Sequence, residues 1–182
     1  MDSALAWVGQ IADWIGKFIP RWIILDTTEG AVKFLSGKTA VPLGPGIHWY
    51  WPVTTTITAY PTAFQADRLQ TQTIVTTDDK TIIVGAMISY TVTDILPLVA
   101  GTHSAVTTVK NIAMTAVHDV CCRMSWEELK GEQRKGTLDT KLKNAAQRML
   151  TRYGVHIEQL MLIDLAPTRV LKLMQSTSSE EN

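Results

Sequence analysis

The stretch "TQTIVTTDDKTIIVGAMISYTVTD", Thr71 to Asp94, is the part of the chain with the clearest β-strand composition. Threonine, valine and isoleucine, the β-branched residues that strands favour, dominate both of its halves. Asp78, Asp79 and Lys80 separate the halves and have the composition of a turn. The stretch therefore predicts a long antiparallel hairpin.

Short β-rich segments precede this hairpin. Ser36–Lys38 and the Pro-Gly element Gly44–Gly46 have the composition of turns between them. Because successive side chains of a strand point to opposite faces, Ile47, Trp49 and Trp51 are expected to share one face. The predicted strands are Trp22–Asp26, Gly30–Leu35, Thr39–Leu43 and Ile47–Trp51.

After the hairpin the apolar spacing changes to that of helices. Ser104–Met124 and Leu138–Tyr153 carry apolar residues three and four positions apart. Ser125 with Glu128 forms a capping box for a short helix between them, and Gly154 has the place of a left-handed glycine that ends a helix. A strand is predicted over Val155–Leu165, followed by a short helix with Pro167 in its first turn. Strands followed by helices predict an α+β fold.

The N-terminal leader, residues 1–21, is predicted to be an amphipathic helix that ends at Pro20. At about 100° per residue, its apolar side chains form one face that covers half of the cylinder. Asp13, Lys17 and Arg21 interrupt the hydrophobic stretch, whereas a spanning helix needs about 20 predominantly apolar residues. The apolar face consists of Ala4, Leu5, Trp7, Val8, Ile11, Ala12, Trp14, Ile15, Phe18 and Ile19.

Five of the six tryptophans lie in the first 51 residues: two in the leader, Trp22 directly after it, and two in the stretch "GPGIHWYWP". Tryptophan suits the boundary between lipid headgroups and acyl chains, because its ring is apolar and its N–H is polar. We therefore expect contact with a membrane surface, with packing of the leader on its own domain or on a partner chain as the alternative. For Ile47 and Trp49, a place in the core is an equal alternative. The expected membrane-contact residues are Leu5, Trp7, Val8, Ile11, Trp14, Ile15, Phe18, Ile19, Trp22 and Trp51.

The charge balance and the cysteines narrow the possible functions. Seventeen basic and seventeen acidic residues cancel, which argues against a nucleic-acid partner. Cys121 and Cys122 are adjacent inside a predicted amphipathic helix, and we interpret them as small core residues. We expect no secretory signal, since Asp2 rather than a basic region follows Met1.

The sequence contains no convincing set of catalytic or cofactor-binding residues. Phosphate-binding and nucleophile-elbow motifs are absent from the sequence. His118 and Cys122 are four residues apart, but structural zinc needs four ligands and no second pair has suitable spacing. We therefore expect no enzyme activity, no metal and no cofactor. A basic region is interpreted as a solvated helix face, or alternatively as a surface for a neighbouring subunit or acidic lipid: Lys130, Arg134, Lys135, Lys141, Lys143, Arg148 and Arg152.

Four motifs, in order along the chain, resemble the SPFH domain, also called Band 7 or PHB, of the stomatin, prohibitin and flotillin group. They are "EGAVKFLSGK", "LGPGIHWYWP", "TIVTTDDKTIIVGAMISYTVTD" and "YGVHIEQLMLIDLAP". In the second motif, the turn Gly44, Pro45 and Gly46 is followed by Ile47, His48, Trp49 and Pro52, which match the family pattern one by one. The resemblance covers roughly residues 24–173.

The resemblance implies a membrane-associated, non-enzymatic scaffold that forms lateral homo-oligomers, including rings, and regulates partners such as membrane proteases or channels. It implies an SPFH domain over residues 22–174, and the polar composition of residues 175–182 predicts a disordered tail. We expect two departures from the family: an amphipathic helix in place of the spanning or hairpin segment, and a short form without the long coiled-coil helix. The alternative is a bacterial or viral structural assembly subunit, in which the leader packs on neighbouring subunits rather than on lipid.

Overall fold

The computed structural model describes residues 19–168. The predicted leader helix before Ile19, the tail 175–182 and any helix beyond Thr168 lie outside the described residues. Within them, strands precede helices and one long strand closes the fold, so the predicted α+β class is confirmed.

The predicted hairpin is confirmed and belongs to the largest described sheet, in which its second strand is central. Its strands are β7, Gln72–Val75, and β8, Thr81–Val92, and they pair antiparallel. The Thr76 N–H donates to the Lys80 carbonyl at 3.0 Å, and Asp79 has a φ of 56° in the turn. Such a left-handed conformation is tolerated by aspartate better than by most residues.

β8 pairs along both of its edges. On one edge lie β7 and a further strand, β6, Gln65–Arg68. On the other edge β9, Val155–Pro167, runs antiparallel along β8 with two register shifts. The predicted helix start at Pro167 is wrong, because Pro167 is paired with Ile82 as the last residue of β9; proline suits an edge strand, where it removes no ladder hydrogen bond.

Two smaller sheets are formed by the first part of the chain. In the three-stranded sheet, β2, Glu29–Leu35, lies between β3, Thr39–Leu43, and β5, Thr55–Pro61, a strand that was not predicted. A separate two-stranded ribbon pairs β1 with β4. The bounds are β1 Arg21–Leu25, β2 Glu29–Leu35, β3 Thr39–Leu43, β4 Gly46–Tyr50 and β5 Thr55–Pro61.

Four α-helices lie between β8 and β9. Ser125 and Glu128 form the predicted capping box, and Gly154 has the predicted left-handed conformation with a φ of 68°. The first helix was not predicted; Asp94 caps it by accepting a hydrogen bond from Leu96 N. The helices are α1 Ile95–Gly101, α2 Ala105–Cys122, α3 Trp126–Lys135 and α4 Thr137–Leu150, followed by the short 3-10 helix Thr151–Tyr153.

The core lies where the helices pack on the β8–β9 sheet. α4 contacts β9, and α2 contacts β7, β8 and α4. Cys121 is buried there, as predicted, among fully buried aliphatic side chains. They include Ile82, Ile88, Leu98, Val109, Leu129, Leu138, Leu142, Leu150, Ile157 and Leu160.

Candidate functional site: an exposed aromatic ribbon

The β1–β4 ribbon carries an apolar face that no described residue covers. Its register places Trp22 opposite Trp49 and Ile24 opposite Ile47. Directly opposed residues of an antiparallel pair lie on the same face, so these four side chains form one patch, here called the aromatic ribbon face. Their exposures are 64% for Trp22, 65% for Ile24, 66% for Ile47 and 60% for Trp49.

The two tryptophans contact each other while they remain exposed. The ring centroids of Trp22 and Trp49 are 5.3 Å apart, and the ring planes meet at 79°. This edge-to-face arrangement is one that aromatic pairs prefer, because the positive edge of one ring meets the negative face of the other. The ribbon therefore presents the two indoles as one edge-to-face pair.

The opposite face of the ribbon turns towards the protein. Leu25 is buried and Ile23, His48 and Tyr50 are half-buried. β1 also contacts β2, and the Lys33 Nζ of β2 donates to the Trp49 carbonyl at 3.3 Å. The ribbon is thus anchored by one face and by its backbone, which leaves the aromatic ribbon face turned away from the core.

The turn before β4 explains why the motif residues have their identities. Gly46 has a φ of +130°, in a region that favours glycine. The His48 Nε2 donates to the Gly44 carbonyl at 2.8 Å. A side chain of β4 therefore closes the turn that precedes β4. After the strand, the Trp51 carbonyl accepts from Thr54 N at 3.1 Å and Thr55 N at 2.9 Å, which folds the chain around half-buried Pro52.

The outcome for the predicted contact residues differs along the chain. Ile19, Trp22 and Trp51 are exposed, as surface contact requires. Ile47 and Trp49 are also exposed, so the structure does not support a core position for them. Ile24 and Val53 are exposed residues that the sequence analysis did not single out, although Ile24 lies two positions from Trp22 and so shares its face. The predicted contacts Leu5, Trp7, Val8, Ile11, Trp14, Ile15 and Phe18 lie outside the described residues.

The ribbon carries little charge. Arg21 is the one ionic side chain in β1 and β4, and Asp26 follows β1 directly. Among the helices between Ile19 and Thr168, none is long and apolar enough to cross a bilayer. The ribbon is therefore a surface of apolar and aromatic character with weak electrostatics.

The other sequence candidates have structural roles within the described part of the chain. Burial raises the pKa of the Cys121 thiol to about 12, which makes thiolate chemistry unfavourable. Cys122 donates to the Asp119 carbonyl at 3.4 Å, and Asp78 binds backbone and side-chain donors of its surroundings. Residues 19–168 contain no group of three or more histidine, cysteine or acidic side chains placed to hold a metal ion.

Comparison with known proteins supplies the family. No curated protein matches the chain. The profile of the SPFH domain / Band 7 family matches residues 23–181, which is most of the sequence. The four motifs of the sequence, the α+β fold and this match agree. The chain therefore belongs to the SPFH domain / Band 7 family, whose members are typically membrane-associated and generally act as non-enzymatic scaffolds.

Proposed function

We propose that the protein is a non-enzymatic peripheral membrane scaffold that rests on the bilayer through the aromatic ribbon face. The observation that carries this proposal is the exposure of Trp22, Ile24, Ile47 and Trp49 on one side of a two-stranded ribbon. Monomeric soluble proteins seldom keep large contiguous apolar patches in water unless these patches bind something. A pair of tryptophans at the edge of a protein suits the headgroup region of a bilayer.

The size of the patch indicates a weak contact per molecule. Full burial of a large apolar side chain gains roughly 1.5–3 kcal/mol, and these four are already about one-third covered. The gross gain is therefore on the order of 5 kcal/mol before ordering costs. Such a contact becomes persistent when a second apolar element, such as the predicted leader, or several linked copies share one surface.

We extend the proposal to lateral self-association and regulation of partners. In this proposal copies assemble side by side on lipid, with rings as one form, and the array organises membrane or regulates membrane proteins such as proteases or channels. Family membership supports this extension. The weak contact per molecule supports it physically, because linked copies bind a surface far more tightly than single ones do.

Vesicle flotation with phosphatidylcholine tests the membrane contact. The double variant Trp22→Glu, Ile47→Glu places two charges on the ribbon face and is expected to lose most of the floated fraction, since buried charge is costly. Phe64→Glu is the matched control, because Phe64 is equally exposed but lies outside the ribbon. Equal flotation of the double variant and wild type, with circular dichroism showing both folded, would refute the ribbon as a lipid contact.

The assembly-subunit alternative uses the same face differently. Exposed aromatic side chains are also enriched at protein interfaces, so the ribbon face could pack on another copy. Light scattering without detergent or lipid distinguishes the two cases. A defined oligomer that the double variant dissociates, and that added vesicles leave unchanged, would favour the subunit. Electron microscopy of the protein on lipid would show whether copies form rings.

A further inference from the structure

A groove runs between α2 and α4 on the side of the helices away from the sheet. Ile112 and Thr115 of α2 line it together with Arg148 of α4 and Arg152 of the 3-10 helix that follows α4. Farther along, Asp119 and Arg123 line it together with Lys141 and Asn144, in a depression of about 390 Å³. Because residue numbers rise on one helix as they fall on the other, the two helices are antiparallel and the groove follows both of them.

The floor of this groove is apolar and its rim is basic. Floor side chains pack on the core from one side and stay half-exposed on the other: Ile112, Val120, Met124, Ala145 and Met149. On the rim, Arg123 is paired with Asp119 and Lys141 with Glu132. Arg148 and Arg152 form no ion pair with any residue between Ile19 and Thr168, so positive charge is unbalanced at one end of the groove.

The other end of the groove lies close to the place where the chain leaves β9. The Thr168 N–H donates to the Thr81 carbonyl at 2.8 Å, and the neighbouring Lys80 carbonyl accepts from Thr76 N at 3.0 Å. Thr77, the residue after Thr76, donates its N–H to the Met124 carbonyl at 3.2 Å. Three backbone hydrogen bonds therefore connect the end of β9 with Met124, which lies on the groove floor.

The sequence that follows has the composition that the groove would accept. Residues 169–182 are "RVLKLMQSTSSEEN", with Val170, Leu171, Leu173 and Met174 first and Glu180 and Glu181 later. In the sequence the apolar residues come first and the acidic pair follows. The segment thus offers apolar side chains to an apolar floor and two carboxylates to Arg148 and Arg152, while Arg169 and Lys172 lie among its apolar residues.

We propose that residues 169–181 dock into the α2–α4 groove of the same chain, with the apolar residues on its floor and Glu180 and Glu181 at Arg148 and Arg152. The groove from Arg123 to Ile112 is about 17 Å long at helical rise. The segment covers about 20 Å at the same rise and more if extended. The segment must also cover the distance from Thr168 to Met124, so its length is sufficient, without displacement of β9, when part of it is extended.

Paramagnetic relaxation in the full-length protein tests this docking. A nitroxide is placed on Ser178→Cys with Cys122→Ser; Cys121 is buried and its raised pKa keeps it unlabelled. We expect the strongest broadening at the amides of residues 112–115 and 148–152, in a sample diluted with unlabelled, diamagnetic protein. The double variant Arg148→Glu, Arg152→Glu is expected to remove this broadening. Adding Glu180→Arg and Glu181→Arg to that variant exchanges the charges and is expected to restore the broadening.

The control reverses Arg134 and Lys135, exposed cations at the end of α3 that do not line the groove, and is expected to leave the broadening unchanged. The proposal is overturned if broadening is spread evenly over the surface, or if it survives reversal of Arg148 and Arg152. It is also overturned if the nitroxide of one molecule broadens only the amides of another molecule, since the segment would then dock on a second copy.

Discussion

Gly154 is a single residue on which the junction of two elements depends. Its carbonyl accepts from Thr93 N at 2.8 Å, Asp94 N at 3.1 Å and the Thr93 hydroxyl at 2.9 Å. Its φ is +68°, and an added Cβ would lie 2.7 Å from the Asp94 Cβ. The start of β9 therefore touches the turn before α1 at a place where no side chain fits.

Gly154→Ala is expected to lower the free energy of unfolding by more than about 2 kcal/mol, because positive φ and a steric clash add. Urea denaturation measures the change. Gly131→Ala is the control, since Gly131 lies inside α3 with nothing within 4 Å of an added Cβ. It is expected to stabilise by up to about 1 kcal/mol through helix propensity. Equal effects of the two substitutions would contradict the packing argument.

Asp78 joins the β7–β8 turn to a helix. Its carboxylate accepts from the Thr76 hydroxyl at 2.6 Å and from Trp126 N, at the start of α3, at 3.1 Å, and pairs with Lys80 Nζ at 3.0 Å. The hydrogen bonds from Thr76 and Lys80 hold the pKa of the Asp78 carboxyl well below its ordinary value. The folded state thus favours the charged form more than the unfolded state does.

The sign of the pH effect follows from this lowered pKa. The contribution of Asp78 is fully present above the ordinary aspartate pKa, about 3.9, and is lost as the pH falls through the folded-state value. Asp78→Asn is expected to be less stable than wild type at pH 7, by an amount that shrinks as the pH falls below about 4. Denaturation midpoints over pH 2–7 measure this difference in stability.

Asp79→Asn is the control, because Asp79 forms no side-chain hydrogen bond within residues 19–168 and asparagine accepts its φ of 56°. A constant difference between Asp78→Asn and wild type at all pH values would refute the linkage.

At the scale of elements, an ion pair joins β6 to β9 across the strand between them, β8, at Gly85. Arg68 of β6 donates to Asp164 of β9 at 2.8 Å, although β8 lies between these strands. Gly85 of β8 pairs with Asp164, and a Cβ on Gly85 would lie 2.7 Å from the Asp164 Oδ2 and 3.1 Å from its Cβ. Because Gly85 has no side chain, there is room above β8 for the Arg68–Asp164 ion pair.

Gly85→Ala is expected to cost about 1–3 kcal/mol, because the new methyl group meets Asp164 as overpacking does elsewhere. In an Asp164→Ala background the same substitution should cost less, since the clash is removed. A double-mutant cycle from urea denaturation measures this coupling. Additive effects would mean that Gly85 acts through backbone conformation alone. The pair itself is exposed, so Arg68→Ala should change stability by less than about 1 kcal/mol.

At the scale of the whole molecule, apolar exposure and charge balance together shape the expected membrane contact. The chain has equal numbers of basic and acidic residues, and the ribbon strands carry Arg21 as their one ionic side chain. Apolar insertion is therefore expected to supply most of the free energy of the proposed membrane binding, and attraction to anionic lipid little of it.

Flotation is accordingly expected to change by less than about twofold between low salt and 0.5 M salt, because screening acts on charge and leaves apolar insertion in place. Vesicles with and without anionic lipid should float similar fractions. Arg21→Gln is the control for the nearest cation and should leave both results unchanged. A steep loss with salt would place the contact on the basic helices instead, and reversal of Arg134 and Lys135 would then identify it.

The sequence by itself determined the elements whose signals are local. The β-branched hairpin, the helical spacing of α2, the capping box of Ser125 and the glycine that ends the last helix all follow from short-range sterics and hydrogen bonding. The SPFH family was identifiable from four ordered motifs. β6 was not identifiable, because its sequence, Gln65–Arg68, lacks strand formers and is extended only through pairing with β8. α1 was missed because it is one short apolar run that contains Pro97 and has no clear period.

Only the tertiary structure decided which apolar residues are covered. Ile47 and Trp49 have the composition of a core strand, and nothing local distinguishes them from the buried residues of β8. Their exposure follows from the antiparallel register with β1, which gathers Trp22, Ile24, Ile47 and Trp49 on one face, and from a ribbon that has no described layer over that face. Burial is a property of what packs above a strand, and strand sequence alone does not contain that information.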